Sequence, residues 1–385
     1  MSEYGNAGLA LLLALAPALA SADDSSFWSR FEDPDDGRFD MSSWLLERKG
    51  ALPVPVIITE PAIGYGGGLA LLYFRKPEGK ATSRTGADGK TRHITPDLYG
   101  GFAVGTENGT RAYGGAASLH FREDRWRYKG GVGSSLINLD YYRDLPSGGT
   151  RRIAYTVDGI VSLQQGLRRI GNGDAYIGVR WLFVDFDSRL DVESDREFFE
   201  PRQLAQRSSG LGLVFEYDTR DNTFTPSKGG LAAFESTAFA PAFGSDNRYE
   251  LYRGKAYGYW PFRDGRFVLG GRVDLRAANG DVPFYMQPYL ELRGVPAGRY
   301  QDARTALLEA ELRWNVDERW AVLGFAGAGR AWGTQHGFGE ADRVNTRGAG
   351  FRYLIARRLG VYAGLDAGWG PEDHAFYVQV GSAWR

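Results

Sequence analysis

The fold class that this sequence predicts is all-β: a closed antiparallel transmembrane barrel of sixteen strands. Composition is the first observation behind it. Glycine accounts for 53 of 385 residues, against a usual share of ~7%. The chain also carries 21 Tyr, 22 Phe and 10 Trp but only 3 Met. With 43% hydrophobic residues and a mean hydropathy of −0.36, it is too polar for a bundle of membrane helices. The second observation is a period of two. In "RTALLEAELRW", Ala306, Leu308, Ala310, Leu312 and Trp314 share one face, and Thr305, Glu309, Glu311 and Arg313 share the other with Leu307. Alternation of this kind puts one face in lipid and the other in a polar lumen. The third is its extent. The same split recurs in "RFVLGGRVDLRA" (266–277), "DAYIGVRWLF" (174–183) and "VYAGLDAGW" (361–369), more apolar faces than the core of one soluble sandwich would absorb.

Taken in order, "GLALLLALAPALASA" (8–22) is an apolar run ending in small residues, and residues 1–22 read as a secretory signal peptide. The leading "MSEYGNA" carries Glu3 and no Lys or Arg, at odds with the basic start of such a peptide. Residues 23–52 form a short periplasmic lead-in, with one helical turn expected near 42–48. Its acidic run "EDPDDG" (32–37) lacks the ligand spacing of a calcium loop and reads as a solvated turn.

Residues 53–385 are the barrel. Fifteen strand-like segments run from 62–75 to 374–384, whereas a single-chain bacterial barrel takes an even number. Either "LPVPVIIT" (52–59) is a short first strand or one long segment conceals a bend. Short connections at 121–124, 315–318 and 357–360 would face the periplasm. Longer ones at 188–208, 279–303 and 333–346 would face outside. The last strand, with Phe376, Val378, Val380 and Trp384 on one face, would close the barrel at the membrane interface.

Catalytic chemistry is not visible. The chain has no cysteine, and His93, His120, His336 and His374 are scattered without ligand spacing. No G-x-S-x-G elbow occurs. "GYGGGL" (64–69) has Leu69 where a dinucleotide fingerprint needs its third glycine. The expectation is no enzyme, no cofactor and no metal. A net charge of −1 argues against a nucleic-acid partner.

Three stretches carry more specific information: "YDTRDNTFTPSKGG" (217–230), "PFYMQPYLELRGVPAGRYQD" (283–302) and "GFAGAGRAWG" (324–333). Together they resemble the bacterial surface antigen superfamily of BamA/TamA-like outer-membrane barrels. The family's turn is matched at Tyr217, Asp218, Arg220, Asp221, Asn222, Pro226, Ser227 and Gly229. Its Arg-Gly-aromatic loop motif is matched at Arg293 and Gly294, while Val295 replaces the aromatic and Arg299 and Tyr300 follow. The family's Phe-x-Asp-x-Gly strand is altered here, with Gly327 in the acidic position.

The resemblance implies a lumen loop, a location in the outer membrane of a Gram-negative bacterium and contact with outer-membrane lipid. It also implies membership of the subgroup lacking POTRA domains, with a periplasmic protein partner replacing them. A guanidinium inside the barrel needs carboxylates in fork geometry. The lumen-facing acids Glu309, Glu311 and Asp366 are the expected partners of Arg293, with Gly294 allowing close backbone approach. The function implied is protein or lipid assembly or transport across the outer membrane, in an accessory role. The alternative is a passive channel or structural barrel, for which the mixed charges Arg272, Asp274, Arg276, Glu309 and Arg313 would give weak ion selectivity.

Overall fold

The structure is a computed structural model that describes residues 31–42, 51–75, 83–86, 89, 91–93, 97–144, 150–190, 205–334, 336–372 and 374–384. The expected signal peptide and all but the first residue of the expected helical turn lie outside them. Among the described residues eighteen strands form in chain order. The first half comprises β1 (Leu52–Glu60), β2 (Gly64–Arg75), β3 (Ser83–Thr85), β4 (Thr91–His93), β5 (Asp97–Thr106), β6 (Arg111–Phe121), β7 (Trp126–Asp144), β8 (Thr150–Arg169) and β9 (Ala175–Leu190). The second comprises β10 (Ala205–Asp218), β11 (Gly229–Phe239), β12 (Tyr249–Phe262), β13 (Phe267–Gly280), β14 (Arg304–Asn315), β15 (Trp320–Trp332), β16 (Val344–Ala356), β17 (Val361–Trp369) and β18 (His374–Val380). Sixteen of them make one antiparallel sheet, and β3 and β4 pair as a separate hairpin. The extra strand is therefore β1, the "LPVPVIIT" segment, paired along its length with β2.

Because partners across an antiparallel ladder lie on one face, the registers decide which residues face the lumen. Ile153, Tyr155 and Val157 of β8 pack on Phe284 of the 281–303 loop, so this parity of β8 points inward. Following the ladders through Gly133, Gly114, Phe102, Ala70 and Val54 reaches the β1 face that holds Glu60. Glu60 accepts a hydrogen bond from the backbone N–H of Ala297 in the same loop, at 3.1 Å. The opposite parity carries Tyr65, Leu69, Tyr113, Val179, Leu213 and Leu308, all exposed, as a lipid-facing band requires.

Closure stops at one place. β1 and β18 are the two ends of the sheet order, and among the described residues no ladder joins them. The last residues also depart from the expected final strand. β18 ends at Val380, and Gly381, at φ 83°, turns the chain. Trp384 then lies 3% exposed among Leu231, Tyr257, Tyr259 and Val268 on the inner wall. It does not sit on the lipid face because its indole N–H, costly to leave unpaired in hydrocarbon, finds a carboxylate inside.

The two ends of the barrel differ, although the division into short and long connections is not strict. The β1–β2 and β17–β18 connections are short yet lie at the long-loop end, and the β2–β5 connection is long at the other. At the short-turn end, the β3–β4 hairpin is held by Arg84, which bonds Asp124 at 3.2 Å and Asp174 at 2.7 Å. The acidic run at 32–37 is not a solvated turn. Arg319, with a fully buried side chain, gathers Asp33, Asp36 and Asp40. Met41 N–H donates to Ile355 O at 2.6 Å, and Arg357 N–H donates to Asp40 at 2.9 Å. A guanidinium with several donors organises three carboxylates that would otherwise repel one another. Asp36 is held down to about 2 by its hydrogen bond from Arg319.

Candidate functional site

The loop 281–303 leaves β13 at Gly280, makes one 3-10 turn at Phe284–Met286 and folds against the inner wall. Its apolar residues Leu290, Leu292 and Val295 pack on Leu307 and Val344. Val295, standing where the family motif has an aromatic, is part of this seat. Burying these side chains stabilises the docked loop by about 1.5–3 kcal/mol each at full burial, before the entropy of ordering it.

Arg293 lies at the centre. Its Nη2 is 2.6 Å from Glu309, and its Nη1 is 2.8 Å from Glu311 and 3.0 Å from Asp366. The structure thus brings the arginine together with all three acids named from sequence. The guanidinium also lies 3.6 Å over the Phe325 ring, a placement that favours a cation. Three further residues hold the acids and the loop. Arg352 donates to Asp366 at 2.6 and 2.8 Å, Trp384 Nε1–H donates to Glu309 at 2.6 Å, and Tyr377 O–H accepts from Gly294 N–H at 2.9 Å.

Gly294 has φ 94°, and a Cβ there would meet the Trp369 and Gly370 backbone at 2.8–2.9 Å. Only glycine fits without displacing a neighbouring strand. The altered strand position is explained in the same way. A Cβ on Gly327 would meet Leu292 at 2.8 Å, and Glu309 is its direct cross-strand partner. The carboxylate has moved one strand over, and the vacated space holds the loop's leucine.

Arg299 and Tyr300 do not join this cluster. Both bond Glu372 in the β17–β18 connection, Arg299 Nε at 2.7 Å and the Tyr300 hydroxyl at 2.9 Å. They fasten the loop at the rim, where Glu372 is held below its usual range by Arg299.

The turn at 219–228 crosses the short-turn end. Asp218 bonds Arg220 at 2.9 Å. Asp221 accepts from the N–H groups of Ser227 and Lys228, and Asn222 from those of Phe224 and Thr225. Pro226 adds a fixed φ, and Gly229, at φ 87°, lies against the Thr219 carbonyl. The turn then spans to the far wall. Asn222 donates to Leu359 O at 2.9 Å, and Ser382 N–H donates to Phe224 O at 2.6 Å. β10 is eighth and β18 sixteenth in the sheet order, so this strut ties opposite sides.

Arg352, Tyr377, Arg84 and Arg319 were not singled out from sequence, and Trp384 was named only for the outer face of the last strand. Arg352, between the opposite-parity Phe351 and Tyr353, and Tyr377, the cross-strand partner of Asp366, were open to the same lumen-face reasoning as Asp366. Trp384, Arg84 and Arg319 depend on chain reversals that no local period encodes. Among the described residues, no group of His, Asp or Glu is placed to hold a metal ion.

A sixteen-stranded sheet with a loop locked into its lumen and a strut across one mouth defines a class of membrane barrel. A sequence model of the Omp85 superfamily domain matches residues 117–372, and the chain belongs to that superfamily, whose barrels are outer-membrane proteins of Gram-negative bacteria. Solved structures share the fold. BamA from Haemophilus ducreyi lacking POTRA domains 1–3 aligns at TM-score 0.55 and 13% identity, over 87% of this chain and 70% of that one. CdiB from Escherichia coli aligns at 0.58 and 14%, over 85% and 61%. CdiB from Acinetobacter baumannii aligns at 0.54 and 13%, over 86% and 59%. The chain thus spans less than two thirds of either CdiB. A search of curated proteins returned no match.

Proposed function

We propose that this protein is an accessory barrel of the outer-membrane assembly and translocation class, moving protein or lipid by way of the β1–β18 seam. The observation that carries the reading is the pairing of a locked lumen with an unpaired seam. Arg293 fixes the loop inside the barrel, while among the described residues no ladder joins β1 to β18 on the wall that faces the membrane. A passive pore needs the reverse, a free lumen and a wall with no edge. The reading places the chain in the outer membrane after export through its signal peptide, with a periplasmic protein supplying client recognition and no catalytic step.

Planar-bilayer conductance of the refolded protein beside Arg293→Ala tests it. Small, flickering wild-type currents that become large and steady in the variant support the reading. Large, steady and equal currents from both would make the protein a simple channel.

A further inference from the structure

The lumen wall is not uniform. From β1 to β8 its mid-height inner positions include Val56, Ala70, Phe102, Ala112, Val161 and Leu163, and the inward charge nearest to them on the short-turn side is Lys129, opposite Gln165. Phe102 is 39% and Leu163 36% exposed, so the surface is open to the lumen among the described residues. Glycines such as Gly68 and Gly114 keep it shallow; Cε1 of Phe102 lies 3.2 Å from where a Cβ on Gly114 would stand. A sixteen-stranded barrel is wide enough for an aqueous interior, and a contiguous apolar surface facing water marks a binding surface.

We propose that the inner face of β1–β8 binds the acyl chain of a membrane lipid admitted through the seam. This deepens the reading above and rests on it. Three features select the occupant. The patch begins at β1, the edge strand of the seam, so it is continuous with the bilayer. From β2 to β8 its backbone is engaged in ladders on both sides, leaving free donors and acceptors only along the outer edge of β1. A polypeptide laid on it would have unpaired N–H and C=O groups, whereas an acyl chain has none to satisfy. The wall across the lumen carries Arg253, Lys255, Arg272 and Arg276, bonded to the three acids Asp274, Glu291 and Glu235; the surplus of cations over acids suits the phosphate of the same amphipathic molecule.

The chain has no cysteine, so Phe102→Cys, Leu163→Cys, Lys255→Cys and Tyr113→Cys each carry a single benzophenone. Each variant is reconstituted in phosphatidylethanolamine–phosphatidylglycerol vesicles containing radiolabelled phosphatidylglycerol and illuminated. Lipid capture at 102 and 163 is expected to approach that at the bilayer-facing 113 and to exceed that at 255 roughly ten-fold. Adding Ala112→Asp to the Leu163→Cys protein should lower capture roughly ten-fold while leaving 113 unchanged. Capture at 113 alone overturns the proposal. So does crosslinking from 102 and 163 back to the chain itself, or preferentially to an added outer-membrane strand peptide. If lumen capture fails while Arg293→Ala still opens the pore, only the lipid assignment falls. If capture succeeds while the two conductances are equal, the assembly reading falls.

Discussion

The inner faces of β1–β8 and β9–β18 are built from the same alternation yet solve opposite problems. On β9–β18 the inward positions include Arg180, Glu235, Arg253, Asp274, Glu309, Arg313, Arg352 and Asp366, nearly all in mutual contact. There the loop and the C-terminal Trp384 dock and exclude water, and polar groups are buried only because each finds a partner. On β1–β8 the middle of the inner face, between Glu60 near the long-loop end and Lys129 and Gln165 near the short-turn end, is apolar and small, and no described residue covers it. Charge on the lumen face therefore marks where the barrel holds its own chain, and its absence marks where it leaves room for something else.

The largest expected effect strikes the charged wall. Arg293→Ala leaves Glu309 and Asp366 buried without their guanidinium, a loss of about 3–5 kcal/mol in docking the loop. Hydrogen exchange across 290–296 should accelerate accordingly, and Arg293→Lys should rescue only partly, because an ammonium cannot make the forked contacts. Unchanged exchange would mean that the loop is held by its leucines.

Gly294→Ala isolates shape from charge. It keeps every ion pair but forces a Cβ into the Trp369–Gly370 backbone at a positive φ, and should cost about 1–3 kcal/mol. A smaller effect in the same exchange measurement would show that β17 yields.

Phe102→Ala on the apolar wall should change the unfolding midpoint by less than about 1 kcal/mol, since the ring is already part-exposed and packs on little. A larger loss would reveal that something in the folded protein covers this wall.

The acidic clasp sharpens the comparison from outside the membrane. Asp36 titrates at about 2 when bonded to Arg319, below its unfolded value of ~3.9. Its contribution is therefore complete above the unfolded value and is lost as pH falls through the folded one. Asp40 moves the same way, its hydrogen bonds from Ser42 and Arg319 outweighing burial. Protease sensitivity of residues 31–42 should rise only below about pH 4, and Arg319→Gln should bring that sensitivity to neutral pH.

Much of this was legible locally. The strands and their inner and outer faces, including the inward side of Glu309, Glu311 and Asp366, follow from period two, because a pleated strand assigns each residue a side by parity alone. The family turn and the lumen loop that carries Arg293 to those acids came from the resemblance of the motifs. Parity also placed Trp384 on a lipid-facing strand, and there it failed, because Gly381 reverses the chain three residues earlier. The clasp failed for a related reason. "EDPDDG" reads as a solvated turn until Arg319, far away in sequence, is brought beside it.

What the sequence by itself determined is therefore the sheet, its register logic and the chemistry of each face. Tertiary structure decided which distant groups share one buried space: Glu309 across from Gly327, Arg319 among three aspartates, Asn222 reaching Leu359. It also decided that β1 and β18 lie side by side without a ladder. Parity is a property of one strand, but burial of charge and closure of a barrel depend on where the whole chain returns.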